Sequence, residues 1–336
     1  MGYDLIYENE SYRSVEAGPD DVCVVVVNYN QERFIADCLW SIDAQSYRSI
    51  RVVLFDDCSD DRSLDVLLPI AESMSLPVAV YRNRENSHIC RTLNNALEVA
   101  RGKYYSCIAA DDYWGERKIE TQVEMLKHAP ENVCGVCSDA VYVDEGKNVL
   151  ANSYITDVLK RERPAGYVTY RDLLRGNIIP AHSILLRLNM VREAGGYDER
   201  MIYEDWDLWL RLAQEYTFLF QDETHVYYRK VGSGISTNIL NPFNRSWNET
   251  NYLIYKKQFE SKRVPQDDIP YLKHQLKKTA LRLYEQKSGY AFPALIHAYY
   301  RTRNVSLAVV IVKYLMRTVF PSRGADHMKT RGKCPS

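Results

Sequence analysis

Three apolar runs, each ending abruptly in polar or acidic residues, restrict this chain more than anything else in it. They are Asp21-Val22-Cys23-Val24-Val25-Val26-Val27-Asn28-Tyr29-Asn30, Ser49-Ile50-Arg51-Val52-Val53-Leu54-Phe55-Asp56-Asp57 and Tyr104-Tyr105-Ser106-Cys107-Ile108-Ala109-Ala110-Asp111-Asp112. Rich in β-branched and aromatic residues and without polar alternation, they read as strands buried on both faces, which requires a sheet covered by helices. The segments between them supply the helices. Residues 32–46 place Phe34, Ile35, Cys38, Leu39 and Ile42 near helical spacing, residues 64–75 follow the helix-start cluster Asp60-Asp61-Arg62-Ser63, and residues 92–100 form an amphipathic helix stopped at Gly102. Residues 77–81 read as one more strand. This alternation predicts an α/β fold with a Rossmann-like, mostly parallel sheet flanked by helices and joined by right-handed crossovers.

In such sheets ligands gather beyond the carboxyl ends of the strands, where Asp111 and Asp112 would lie. Two adjacent carboxylates repel, and desolvating either is costly unless a cation meets them. A divalent metal answers both problems; for an isolated pair, capping of a following helix is the plainer alternative.

The middle of the chain is less regular. A strand is expected over Val133 to Val143, polar loop and turn over 148–170, a strand over 178–187, and a short helix over 189–194 ended by Gly195-Gly196. Glu204, Asp205 and Asp207 then open an apolar helix. Beyond residue 243 the pattern is helical. Residues 305–320 are apolar apart from Lys313 and Arg317, but fall short of the roughly 20 residues a membrane span needs. They read as an interfacial amphipathic helix beside the cationic tail of Arg323, Lys329, Arg331 and Lys333, or equally as a helix packed on the protein itself.

The net charge of −1 conceals a division. Residues 256–336 hold 17 Lys and Arg against 5 Asp and Glu, leaving residues 1–255 with 26 against 39. An acidic, cation-using region joined to a basic one suits a surface that meets anionic lipid or another polyanion; nucleic acid is not an expected partner. The eight cysteines show no disulfide framework, and Cys134-Gly135-Val136-Cys137 lies in an apolar run without a second pair or nearby His, so these are read as core thiols. The amino terminus lacks a basic-then-apolar signal, and a reduced, cytoplasmic setting is expected, with peripheral attachment to the inner membrane face as an option.

Taken jointly and in order, Asn28-Tyr29-Asn30-x-Glu32, Leu54-Phe55-Asp56-Asp57, Asn94, Gly102-Lys103-Tyr104, Ala110-Asp111-Asp112, Gly195-Gly196-Tyr197-Asp198-Glu199 and Glu204-Asp205-Trp206-Asp207 resemble the family 2 glycosyltransferases of GT-A fold, over about residues 20–235. The resemblance implies a catalytic domain at 21–240, divided into a nucleotide-binding half (21–112) and an acceptor half (113–240), after an amino-terminal extension (1–20) and before a helical basic region (241–336). It implies an inverting transfer of a sugar from a nucleotide-diphosphate donor, UDP-linked by expectation, to a hydroxyl of a glycan or lipid-linked saccharide, with Mn²⁺ or Mg²⁺ as cofactor.

Carried over residue by residue, Asp112 binds the metal and Asp111 the donor ribose or the metal's outer shell. Asp57 accepts from the pyrimidine ring, Val27, Tyr29 and Glu32 line base and ribose, and Asn94 lies close to the nucleotide. Asp205 is the general base; its place at a helix start implies backbone N–H groups that would lower its pKa. Two positions depart from the family pattern. Ala109 stands where relatives often carry a first Asp, and Val231 where many carry a His, leaving Arg229, Lys230 or Ser236 to close over the donor. A sugar nucleotidyltransferase is disfavoured because Asn28–Arg33 contains no glycine to cradle a triphosphate. A non-catalytic nucleotide-sugar or glycan-binding module is the reading from another class.

Overall fold

The structure, a computed structural model, describes residues 2–14, 18, 20–232, 244–261 and 263–319. The chain divides into two compact units, residues 1–241 and 242–336.

The first unit is built on a nine-stranded sheet in the order β1-β4-β3-β2-β5-β11-β7-β12-β10. Its strands are β1 (Tyr3–Glu8), β2 (Val22–Asn28), β3 (Ile50–Asp56), β4 (Val78–Asn83), β5 (Tyr104–Ala109), β7 (Val133–Ser138), β10 (Tyr167–Val168), β11 (Leu185–Arg187) and β12 (Thr217–Gln221). β4, β3, β2 and β5 are parallel, as are β7 and β12, while β11 runs antiparallel between β5 and β7. Every residue of β2 and β3 is buried, which is what their unbroken apolar runs demand. Helices α1 (Glu10–Ser14), α2 (Ile35–Asp43), α3 (Ser63–Ser73), α4 (His88–Val99), α5 (Lys118–His128), α6 (Tyr170–Leu174), α7 (Leu188–Glu193) and α8 (Asp205–Ala213) accompany it. The expected β-α-β alternation over residues 21–112 is therefore present.

Three features differ from expectation. Residues 1–20 are not a loose extension throughout, because β1 adds to β4 as an antiparallel edge strand and Tyr3 is buried against Phe55 and Tyr81. Val133–Val143 is two strands in different sheets, since the chain turns at Asp139-Ala140 and β8 (Val141–Val143) joins a second, four-stranded sheet, β6-β13-β8-β9. The expected loop over 148–170 carries β9 (Val149–Ala151) and one turn of π-helix at Tyr154–Val158. In the second sheet, β6 (Tyr113–Trp114) follows Asp112 directly and pairs with β13 (Val226–Arg229). Neither acid therefore caps a helix; α5 begins only at Lys118.

Cys134 and Cys137 are free and buried on β7, with their thiols against the carbonyls of Thr217 and Leu219. Gly102, at φ +132°, lies so close to Asp21 that a Cβ there would come within 2.5 Å of its carbonyl oxygen. Glycine is what lets the α4–β5 turn pass the start of β2.

The second unit consists of helices α9 (Arg245–Ser261), α10 (Ile269–Glu285), α11 (Ala291–Thr302) and α12 (Val305–Val319). No described helix is long and apolar enough to cross a membrane. Ser236 and the tail residues Arg323, Lys329, Arg331 and Lys333 lie outside the described residues.

Candidate active site

The parallel register brings the carboxyl ends of β2, β3 and β5 to one edge of the sheet, and the residues beyond them arrive together. Val27 is buried where β2 passes β5, and its carbonyl accepts the Ala110 N–H at 3.0 Å. Two residues on, Tyr29 leaves the core and is 44% exposed, an aromatic face beyond the end of β2. Glu32 accepts from the backbone N–H of Arg62 at 2.9 Å, which ties the loop after β2 to the start of α3.

Asp56 and Asp57 have different tasks. Asp56 is wholly buried under the loop, bonded to Asn28 and Ser59 and paired with Arg82 at 3.3 Å. Asp57 is held from the far side, its Oδ1 accepting from Asn83 at 2.7 Å and from the Ser87 N–H at 2.8 Å. These bonds fix the carboxylate orientation at the strand end, as a base-reading acceptor needs.

Asp112 is 3% exposed and gripped on both oxygens. The N–H of Arg229 donates to Oδ1 at 2.8 Å, at the end of β13 where its pairing with β6 brings it alongside Asp112. On the other side His182 Nδ1 lies 3.3 Å from Oδ2. Burial, followed by the neighbouring Asp111 charge, pushes the Asp112 carboxyl well above its usual range, and burial also raises Asp111. Two desolvated carboxylates of this kind form a hard-oxygen donor set. Among the described residues no three His, Cys, Asp or Glu side chains gather as a cage. One or two carboxylates completed by substrate phosphate oxygens is the coordination Mg²⁺ and similar hard cations favour, so the residues present fit such an ion.

His182 is the residue that sequence reasoning overlooked. It sits in a single 3₁₀ turn (Ala181–Ser183) where a continuous strand was expected. The turn is pinned by Trp114 Nε1 on the His182 carbonyl at 3.0 Å, Gln122 on the Ser183 carbonyl at 2.7 Å and the buried Lys118 ammonium on the Ile184 carbonyl at 3.2 Å. Burial and the Lys118 charge lower the His182 pKa to about 3, so the ring is neutral at physiological pH. Its Nε2 is buried and has no hydrogen-bond partner among the described residues. The only signal in the sequence was a lone polar ring inside the apolar run Ile178–Leu186.

Arg229 cannot close over a donor as expected. Its guanidinium is buried, ion-paired with Asp37 at 2.9 Å and placed over the rings of Phe34 and Tyr113. It braces the loop beneath Asp112 instead. Lys230 is exposed.

Across the crevice, Asp205 opens α8. Its Oδ2 accepts from the Asn177 amide at 2.6 Å and its Oδ1 from the Trp206 N–H at 2.6 Å. These bonds lower its pKa, yet burial outweighs them and lifts it to about 6, against the lowering expected from a helix start. Glu204 is raised further, to about 8, by burial and by the charge of Asp205. Both carboxyls are raised, and their mutual repulsion disfavours two negative charges on the pair. Tyr142, Tyr154 and Tyr228 form a cluster that reaches both acidic centres: their rings touch one another, Tyr228 packs edge-on against His182, Tyr142 feels the Asp112 charge and Tyr154 that of Asp205.

Asn94 lies on α4, and its amide is committed to a different loop. It donates to the Tyr197 carbonyl at 2.9 Å and to Glu199 at 3.0 Å, and accepts the Tyr197 N–H at 2.9 Å. Gly196 makes that clasp possible: at φ +66°, a Cβ there would come within 2.8 Å of Asn94 Oδ1. Asn94 therefore sets the Gly-Gly loop that leads to Glu204-Asp205.

Residues 23–189 match the model of glycosyl transferase family 2. Among curated proteins, the chain is 27% identical over 227 residues to TuaG of Bacillus subtilis, a glycosyltransferase named for teichuronic acid biosynthesis, covering 67% of this chain and 85% of that protein. It is 29% identical over 211 residues to the glycosyltransferase EpsE of the same organism, covering 60% and 69%. Among solved structures it resembles the mannosyltransferase PcManGT of Pyrobaculum calidifontis, in complex with GDP-Man and Mn²⁺, at a TM-score of 0.60 and 17% identity over 94% of this chain and 86% of that one. It also resembles S. aureus TarS residues 1–349 in complex with UDP-GlcNAc, at 0.58 and 16% over 89% and 92%. The mixed α/β sheet with its flanking helices is the GT-A architecture of those enzymes.

Proposed function

We propose, from the match of residues 23–189 to the family 2 model and from the glycosyltransferases it resembles, that the chain is a family 2 glycosyltransferase that transfers a sugar, with inversion, from a nucleotide-diphosphate donor to a hydroxyl of a glycan or lipid-linked saccharide. The observation that carries this reading is the electrostatic division of the crevice. Asp205, lifted by burial to about 6 and oriented by Asn177 and the Trp206 N–H, is linked to a second acidic centre, Asp111-Asp112, through the contacting rings of Tyr154, Tyr142 and Tyr228.

Inversion in one displacement needs a base on the acceptor side and no protein nucleophile. Asp205 takes the acceptor hydroxyl proton as that oxygen attacks the sugar carbon and the sugar–phosphate bond breaks. A base with pKa about 6 is mostly unprotonated at pH 7 and still a better proton acceptor than an ordinary carboxylate. Glu204 is raised further, by burial and by the Asp205 charge, which disfavours a second charge beside the base. On the donor side Tyr29 offers a stacking face, Asp57 an oriented acceptor for a pyrimidine N–H, which favours UDP, and Val27 and Glu32 border the ribose. A Mn²⁺ or Mg²⁺ held by Asp112, with Asp111 toward the ribose or the outer shell, would neutralise the departing diphosphate.

The test is a panel of nucleotide sugars screened with Mn²⁺ for thermal stabilisation, followed by transfer assays on Asp112→Ala and Asp205→Ala. A cognate donor raises the melting temperature by mass action. Asp112→Ala should lose both metal-dependent donor binding and transfer, and Asp205→Ala transfer alone. Retained activity in both variants refutes the proposal.

A further inference from the structure

We propose that α12, Val305–Val319 in the second unit, is a surface helix that docks on an anionic lipid membrane. Its packed side is defined by Leu307, which is fully buried, and by the half-buried Ile311 and Tyr314. The opposite side is apolar and open: Val305 is 75% exposed, Val309 52%, Val312 53% and Met316 60%. These four recur at intervals of four, three and four residues, so they form one stripe down the helix, and Leu315 widens it. A continuous exposed stripe of this kind on an otherwise soluble-type surface marks a contact with something apolar.

Charge identifies the occupant. From Gln286 through Ala325 the sequence contains no Asp or Glu, whereas Arg301, Arg303, Lys313, Arg317 and Arg323 all fall within it. Arg301, Arg303 and Lys313 are exposed; Arg303 lies over the ring of Tyr300, itself exposed just before the helix. An apolar stripe edged by cations and an exposed aromatic is what an interfacial helix presents to anionic headgroups. A second copy of this chain fits less well, because pairing the stripes would bring like-charged edges together without a carboxylate between them. The chain beyond the helix offers little cover either: residues 321–336 include only Ala325, Met328 and Cys334 as non-proline apolar residues among many polar and basic ones.

The experiment is co-flotation of the full-length protein with vesicles of phosphatidylcholine alone or mixed with phosphatidylglycerol, at low and high salt, alongside light scattering for oligomeric state. Wild type should float with the mixed vesicles, less so in high salt, and little with the neutral ones. Val309→Asp combined with Val312→Asp should weaken that partition roughly tenfold or more, since charge replaces two membrane-facing side chains. Unaltered Mn²⁺-dependent nucleotide-sugar stabilisation would show that the variant is folded, and this readout does not depend on the lipid result. Absence of flotation, flotation unchanged by the double substitution, or a concentration-dependent dimer that the substitution abolishes would each overturn the proposal.

Discussion

Asn177 offers the sharpest test of Asp205 as the proposed base. Its amide donates to Asp205 Oδ2 at 2.6 Å, and that bond favours the ionised carboxylate while burial opposes it. Asn177→Leu keeps the volume and removes the donor. A hydrogen bond to a charged group contributes about 1.5–3 kcal/mol, and 1.36 kcal/mol corresponds to one pKa unit, so the carboxyl should rise by about 1–2 units. From about 6 it would move to roughly 7–8. At pH 7 the ionised fraction then drops from about nine-tenths to between about a half and a tenth, and kcat/KM should fall roughly two- to tenfold. Above the shifted pKa the activity should return, because the base is intact and only its titration has moved. The assay is the pH profile of kcat/KM for wild type and variant, with melting temperatures to confirm folding. A uniform loss at every pH, with the acidic limb unmoved, would refute this account and leave Asn177 as packing alone.

Other expectations follow from the acid pair and its supports. Because burial raises the Asp112 carboxyl, its ionised form costs stability once the pH exceeds the unfolded-state value, and the cost grows until the folded-state pKa is passed. Asp112→Asn should therefore melt a few degrees higher than wild type in metal-free neutral buffer, by about 2–4 °C per kcal/mol, with the gap closing near pH 4; calorimetry across pH checks this, and Mn²⁺ should stabilise only wild type. His182→Leu removes the ring nitrogen beside Asp112 Oδ2 and should weaken Mn²⁺ binding roughly 10- to 100-fold, read by electron paramagnetic resonance titration, with the fold retained. Gly196→Ala forces a Cβ against Asn94 at positive φ and should cost about 1–3 kcal/mol in denaturant unfolding. A melt unchanged by this last substitution would contradict the clasp.

What was legible in the sequence is what neighbouring residues determine. The unbroken apolar runs require doubly covered strands, and the polar residues that end them must lie at the strand tips, so Tyr29, Asp57, Asp111 and Asp112 were placed by local pattern alone. The helical character of the second unit and the acidic opening of α8 were legible for the same reason. The antiparallel pairings of β1, β6 and β11 were not, since they depend on partners far along the chain, and β6 and β11 are only two and three residues long.

The partners within the crevice were equally invisible. Arg229 reaches Asp112 across 117 positions and Asn177 reaches Asp205 across 28, and no periodicity records such a meeting. The pKa of Asp205 shows the difference most clearly. Its sequence position shows backbone N–H groups that lower it, while only the folded surroundings show how little water remains to solvate the charge, and that desolvation outweighs the donors. Sequence by itself brought forward Asp57, Asp111, Asp112 and Asp205 as strand-end and helix-start carboxylates; tertiary structure decided how far each is desolvated and which donors reach it, because burial and donors both come from distant segments.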